Sequence, residues 1–299
     1  MHPQTLSRLA VIGAGQMGAG IAHVAAAHGI RVQLCDTTLD RAQAGVAAVT
    51  KQWDRLVQKS KLTAEQHARM SGLLAANELE AAVAGAELVV EAATENRAIK
   101  LELFRKLDAV APPEAILASN TSSLSITALA AVTRRPTRVV GLHFMNPVPL
   151  MKLVEIVRGL ETDEATVQRM RALAERLGKT VIVSTDSPGF LVNRILIPLL
   201  LEACFALQEG VGTAEDIDQG ARLGLNHPLG PLELSDLIGL DTVLAISEVL
   251  QGEIGDDKYR APTLLRNLVA AGWYGRKAGR GFYRYDASGK KLAAEGAST

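Results

Sequence analysis

The sequence predicts an α/β domain built on a large, mostly parallel sheet, with an inserted helical hairpin, followed by an all-α C-terminal domain. Three observations predict this. A strand, glycine turn, helix and strand unit of about 30 residues opens the chain. Apolar runs of strand length then recur, separated by helical or turn-rich stretches, as far as Val183. From Phe190 onward the pattern is helical, with no convincing strand before GFYRY. A chain of 299 residues also exceeds the size at which one hydrophobic core usually stops growing.

In order, Leu9 to Gly13 reads as a strand, Met17 to His28 as an alanine-rich helix and Val32 to Cys35 as a second strand. Residues 39–76 read as two amphipathic helices broken near KSKLT, an insertion longer than a crossover needs. Further strands are expected at Leu88 to Val90, Ala115 to Ala118, Val139 to Leu142, Leu153 to Val157 and Val181 to Val183. The character changes at Ser187 and Pro188, so residues 1–187 are expected as one domain and 188–286 as the second. Residues 287–299 offer no apolar face and are expected as a flexible tail.

Composition narrows the function classes. With 32 basic and 32 acidic residues the formal charge is zero, which gives no electrostatic footprint for a nucleic acid. No apolar run reaches membrane-spanning length, and the N-terminus has no secretion signal, so neither membrane nor export is expected. Cys35 and Cys204 follow no metal-ligand spacing and read as free thiols, which fits a reducing, cytoplasmic setting.

The glycine turn is GAGQMG, in which Gly13, Gly15 and Gly18 alternate with Ala14, Gln16 and Met17. It follows a strand and opens a helix, the context in which this spacing marks a Rossmann-type dinucleotide site. The first glycine makes the turn, the second lets a pyrophosphate approach the backbone, and the third packs helix on strand. Asp36 lies 18 positions on (36 minus 18), at the end of the second strand. There a carboxylate can accept from ribose hydroxyls and repel a 2′-phosphate, favouring NAD over NADP. The bland reading, a tight turn with Asp36 merely starting the next helix, leaves this agreement of strand, helix and acid unexplained.

Of six histidines, only His143 has a catalytic setting. His2 is terminal, His23 and His28 lie along the first helix, His67 sits in the charged hairpin, and His227 in NHPLGP is ambiguous. His143 ends the run VVGLH and precedes FMNPVP, at the carboxyl end of a strand. Glu155 falls inside the apolar run KLVEIV, where a carboxylate needs a partner. From spacing alone, a His143–Glu155 acid/base pair and a solvent-facing Glu155 stand even. Ser122, in ASNTSSLS, could hydrogen-bond a substrate oxygen, but an ordinary helix cap is the better reading for any one hydroxyl of that turn. Asn193 is a polar side chain on an otherwise apolar helix.

The ordered blocks GAGQMGAGIA, VVEAATEN, ASNTSSLSIT, GLHFMNPVPLMKLVEI, DSPGFLVNRIL, NHPLGPLELSDLIGLD and GWYGRKAGRGFY resemble the short-chain L-3-hydroxyacyl-CoA dehydrogenase family over about residues 8 to 286. Within that family they are most similar to bacterial 3-hydroxybutyryl-CoA dehydrogenases. The resemblance implies a hydride transfer between NAD and C3 of a short 3-hydroxyacyl-CoA, with His143 as the base paired to Glu155. It implies that Ser122 and Asn193 contact substrate or organise the site. It further implies NAD contacts from Asp36, Glu95, Lys100, Ser122, Asn146 and Lys277, a CoA-facing Lys59, and a homodimer formed through the helical domain. Met145 and Gln52 depart from residues common in relatives and leave the acyl and CoA preference open. Alternatives are a 3-hydroxyadipyl-CoA substrate, a free hydroxy acid, or a non-catalytic nucleotide-binding relative.

Overall fold

The structure is a computed structural model and describes residues 6–60, 63, 67–68, 72–76 and 78–293. The chain divides into two compact units between Phe190 and Leu191, three residues beyond the expected boundary. The reason is local: the turn closes with Phe190 N donating to Ser187 O at 2.8 Å, and the Phe190 side chain is buried in a core of the first unit.

The first unit is an eight-stranded sheet formed by β1 (Arg8–Ile12), β2 (Arg31–Cys35), β3 (Leu73–Ala76), β4 (Leu88–Glu91), β5 (Ile116–Ser119), β6 (Val139–Phe144), β7 (Leu153–Arg158) and β8 (Thr180–Thr185). Their spatial order is β3-β2-β1-β4-β5-β6-β7-β8, and every neighbour pair is parallel except β6–β7. Strands covered on both faces must be apolar throughout, and β4, β5 and β6 are buried at every position. Alternation along β1 sends Leu9 and Val11 into one core and Ala10 and Ile12 into the other.

Helices cover both faces: α1 (Gln16–Ala27), α2 (Leu39–Gln58), α3 (Leu79–Val83), α4 (Arg97–Val110), α5 (Ile126–Ala130) and α6 (Glu164–Arg176). Ile21, Val49, Trp53, Met170 and Leu173 from α1, α2 and α6 pack on one face. Val83, Phe104, Leu107, Ile126 and Leu129 from α3, α4 and α5 pack on the other. Full burial of a side chain of the size of Phe104 contributes about 1.5–3 kcal/mol, so each face supplies a substantial core. The helix starts follow capping rules: Thr38 accepts from Arg41 N, Asn96 from Ile99 N, Ser125 from Ala128 N and Asp163 from Thr166 N.

The hairpin expected over residues 39–76 needs correcting at its end. Its first arm is α2, and its second arm falls largely outside the described residues. Leu73–Ala76 is a strand, paired with β2 from Val32↔Leu73 to Cys35↔Ala76. The open edge of β2 satisfies its backbone by pairing with whatever chain returns beside it, which overrides the helical bias of LLAA.

The second unit contains α7 (Val192–Gln208), α8 (Ala214–Gly224), α9 (Pro231–Ile238), α10 (Leu240–Ile254) and α11 (Thr263–Ala270) around Leu200, Leu201, Leu232, Leu240, Val243 and Tyr259. After α11 the chain folds back in isolated β-bridges, Gly275↔Arg280, Arg280↔Arg284 and Tyr285↔Lys291. Asp236 gathers that return by accepting from Phe282 N, Tyr283 N and the Tyr285 hydroxyl, each at 2.9 Å. At the start of the expected tail, Asp286 N donates to Lys290 O and Leu292 N to Arg284 O. Residues 294–299 lie outside the described residues. Among the described residues no helix is long and apolar enough to cross a membrane.

Candidate active site

The carboxyl ends of β1, β4, β5 and β6 form one edge of the first unit, and the strand order reverses about β1, the position at which open α/β sheets bind ligands. At β1 the chain turns at Gly13 (φ +106°), whose N–H donates to Cys35 O at 2.8 Å. A Cβ on Gly13 would lie 2.5 Å from Ala92 O, and one on Gly18 would lie 1.8 Å from Gly13 O, so neither tolerates a side chain. Gly15 differs: a Cβ there would meet nothing within 4 Å. Gly15 caps α1 without a side-chain hydrogen bond, so the N–H groups around Gln16 and Met17 face that open space.

Asp36 completes this corner. Its Oδ2 accepts from Ala14 N at 2.8 Å, and its Oδ1 accepts from Thr37 N at 2.7 Å and lies 3.2 Å from Arg41 Nε. Burial raises the Asp36 pKa, but the N–H groups of Ala14 and Thr37, the Thr37 hydroxyl and Arg41 outweigh it and hold the carboxyl below its ordinary value. Asp36 does not start the next helix; Thr38 does. Space over Gly15, uncapped helix N–H groups and an ionised acid at the end of β2 fit a dinucleotide: pyrophosphate at α1 and ribose at Asp36.

At the ends of β4 and β5 lies a charged network. Glu91 and Lys100 are both fully buried, with Lys100 Nζ donating to Glu91 Oε1 at 2.6 Å. Ser119 Oγ donates to Glu91 Oε2 at 2.6 Å, and Ala93 N to Oε1 at 2.6 Å. Lys100 Nζ also lies 3.4 Å from Glu95 Oε2. Glu95 Oε1 accepts from Thr121 Oγ1 (2.6 Å), Ser122 N (2.9 Å) and Ser122 Oγ (3.2 Å). Burial pushes the Glu95 pKa up, but the Lys100 charge and the Thr121 and Ser122 donors bring it below the usual carboxylate range. Ser122 is therefore not a helix cap; Ser125 is.

His143 and Glu155 are direct cross-strand partners in the antiparallel β6–β7 pair. His143 Nδ1 and Glu155 Oε2 are 3.1 Å apart, and the residues are 7 % and 0 % exposed. Glu155 faces the imidazole inside the unit, which removes the solvent-facing reading. The Phe190 ring meets the imidazole edge-on, with centroids 5.8 Å apart. A carboxylate only accepts, so Nδ1 is the donor in this pair and Nε2 is the ring nitrogen that Glu155 does not engage. Next to the pair, Asn120 Oδ1 accepts from Phe144 N at 2.9 Å and ties the end of β5 to that of β6.

The first unit thus brings together the glycine loop, Asp36, Glu95, Lys100, Ser122, His143 and Glu155 on one sheet edge, with Asn146 exposed on the turn after β6. Lys59 is exposed at the end of α2, and Gln52 Oε1 lies 3.1 Å from His23 Nδ1. Asn193 and Lys277 belong to the second unit, where Asn193 is buried on α7 and Lys277 Nζ is 2.7 Å from Asp241. Sequence reasoning missed Glu91, Ser119 and Asn120. Glu91 ends the apolar run LVVE and gives the same signal as Glu155, a carboxylate among residues that must be buried.

Fold and site define a dinucleotide-binding oxidoreductase with a buried histidine–carboxylate pair. Residues 8–187 match the 3-hydroxyacyl-CoA dehydrogenase NAD binding domain and residues 189–285 the C-terminal domain of the same family. The chain belongs to the 3-hydroxyacyl-CoA dehydrogenase family and is an NAD-dependent oxidoreductase. It is 51% identical over 281 residues to the 3-hydroxybutyryl-CoA dehydrogenase of Bradyrhizobium diazoefficiens, covering 94% of this chain and 96% of that one. It is 50% identical to a probable 3-hydroxybutyryl-CoA dehydrogenase of Bacillus subtilis, over 94% and 98% of the two chains. The crystal structure of (S)-3-hydroxybutyryl-CoA dehydrogenase from Ralstonia eutropha superposes with a TM-score of 0.90 at 47% identity, over 94% and 99% of the chains.

Proposed function

We propose that this enzyme interconverts L-3-hydroxybutyryl-CoA and acetoacetyl-CoA with NAD, with His143 as the proton-transfer residue. The observation that carries the reading is the buried His143–Glu155 pair on the sheet edge that also holds the glycine loop. In the oxidising direction Nε2 of His143 takes the proton of the C3 hydroxyl as the C3–H pair leaves as hydride. Glu155 stabilises the imidazolium that forms and fixes its ring. Bound NAD supplies the hydride acceptor. Ser122 and Asn193 are read as substrate-orienting groups. Glu95 and Lys100 shape the cofactor side of the edge, and Asn146 and Lys277 are read as further cofactor contacts. Lys100 is 1 % exposed and holds Glu91, which supports a role through Glu95 in preference to direct contact. Lys59, an exposed cation, suits the phosphates of CoA.

A homodimer is part of the proposal, supported by Ile195, Leu223 and Leu225 of the second unit, which are 66%, 78% and 63% exposed. The functional test is NADH oxidation with acetoacetyl-CoA beside free acetoacetate and 3-oxoadipyl-CoA. Rapid turnover of acetoacetyl-CoA and none of the free acid supports the proposal. Preference for 3-oxoadipyl-CoA would reassign the acyl end. NADH binding without turnover of any thioester would make the chain a non-catalytic relative.

A further inference from the structure

The adenosine corner of the proposed cofactor site holds a charge that the dehydrogenase chemistry does not use. Asp36, taken alone, repels a 2′-phosphate. It is not alone: Arg41, in the first turn of α2, folds back so that Nε lies 3.2 Å from Asp36 Oδ1. The pair sums to zero charge. The Arg41 side chain is 70% exposed while that of Asp36 is 11% exposed, so the cation is the solvent-facing member. The recorded approach to Asp36 is through Nε. An exposed guanidinium fork is suited to bidentate recognition of a phosphate. Thr37 and Thr38 sit between the two charged residues, with Thr37 Oγ1 at 3.1 Å from Asp36 Oδ1 and Thr38 Oγ1 accepting from Arg41 N.

We propose that Arg41 makes this corner tolerant of a 2′-phosphate, so that NADP(H) is a second, weaker cofactor and Arg41 is the residue that sets how much weaker. The inference rests on the cofactor site proposed above. With Arg41 present, an arriving 2′-phosphate meets a neutral pair whose exposed member is the guanidinium; without it, the phosphate meets a bare carboxylate. The contact is exposed, so ionic strength screens it.

The test is calorimetric binding of NADH and NADPH, and of 5′-AMP and 2′,5′-ADP, which differ only in the phosphate at issue. The wild type is expected to bind all four, the phosphorylated member of each pair more weakly. Arg41→Ala is expected to raise the NADPH-to-NADH ratio of dissociation constants about tenfold, the scale of a charge-assisted contact discounted for exposure. Arg41→Lys should restore part of the loss. Asp36→Ala should lower the same ratio, and Asp36→Ala with Arg41→Ala should lose that gain. In the wild type added salt should raise the ratio, and in Arg41→Ala it should not. A ratio unmoved by Arg41→Ala, or no NADPH binding by a wild type that binds NADH, would overturn the inference while leaving the dehydrogenase reading intact. A wild type that binds neither NADH nor 5′-AMP would remove the cofactor site itself.

Discussion

At the scale of single residues, the site rests on where backbone and charge leave room. Gly15 and Gly18 lie three positions apart and separate folding from binding. Gly18→Ala places a methyl group 1.8 Å from a carbonyl oxygen, so thermal melting should show a marked loss of stability, because rigid backbone cannot yield as a side chain can. Gly15→Ala meets no neighbour; its melting temperature should stay within a degree or two of wild type while NADH affinity falls. Equal melting losses for both variants would contradict this division. His143→Gln should lower turnover by roughly 10²- to 10⁴-fold with NADH affinity retained, the usual worth of a positioned acid/base. Near-normal turnover would take His143 out of the chemistry. Phe190 carries a different cost: its φ of +51° is unfavourable for an aromatic residue by about 1–2 kcal/mol, and the turn that imposes it holds the ring against His143.

At the scale of elements, the sequence revealed what periodicity and motif context encode. Strands β1, β2 and β4 to β8 were legible because each carries a short apolar run bounded by helical or turn-rich stretches, and the cofactor corner was legible because strand, glycines, helix and acid fall in order. Strand β3 was not, because four residues of LLAA carry neither period strongly and owe their form to an edge they cannot announce. The antiparallel turn of β7 was available but unused: the eight residues between Phe144 and Leu153 (152 minus 144) are too few for a crossover helix. Ser122 stayed ambiguous because a cap and a site hydroxyl look alike until Glu95, 27 positions earlier, is seen to hold it. Long-range polar ties of this kind also anchor elements. Asp108 at the end of α4 accepts from Arg134 N at 3.0 Å and Arg135 Nε at 2.8 Å. Its burial raises the pKa, but the Arg134 N–H and the two guanidinium groups lower it further, so the folded value lies below the unfolded one. Its contribution is therefore complete above the unfolded pKa near 3.9 and is lost as pH falls through the folded value. Asp108→Asn should cost about 1–3 kcal/mol at neutral pH, since Arg135 loses its carboxylate but keeps the carbonyls of Pro112 and Asp108 as acceptors. In urea unfolding that deficit should hold from pH 7 to about pH 5 and shrink below about pH 4. A deficit that grew in acid would contradict the linkage.

At the scale of the molecule, each unit owns its core. The two apolar clusters of the first unit end at Phe190, and that of the second begins at Ile197. A fragment of residues 1–190 should accordingly melt cooperatively and bind NADH; on the proposed reading of Asn193 as a substrate-orienting group, it should turn over no thioester. An unfolded fragment would show that the first unit depends on the second. The single antiparallel pairing within the sheet bears on how such an enzyme can diversify over generations. His143 and Glu155 stand opposite each other only because β6 and β7 hold one register. A heritable gain or loss of one residue inside either strand would turn alternate side chains to the other face and part the two groups. The connection between the two strands sets no register, yet Val148 is buried in the core and Lys179 Nζ donates to Val148 O and Met151 O, so inherited variation that keeps the pair together falls most easily on the exposed Leu150 side chain.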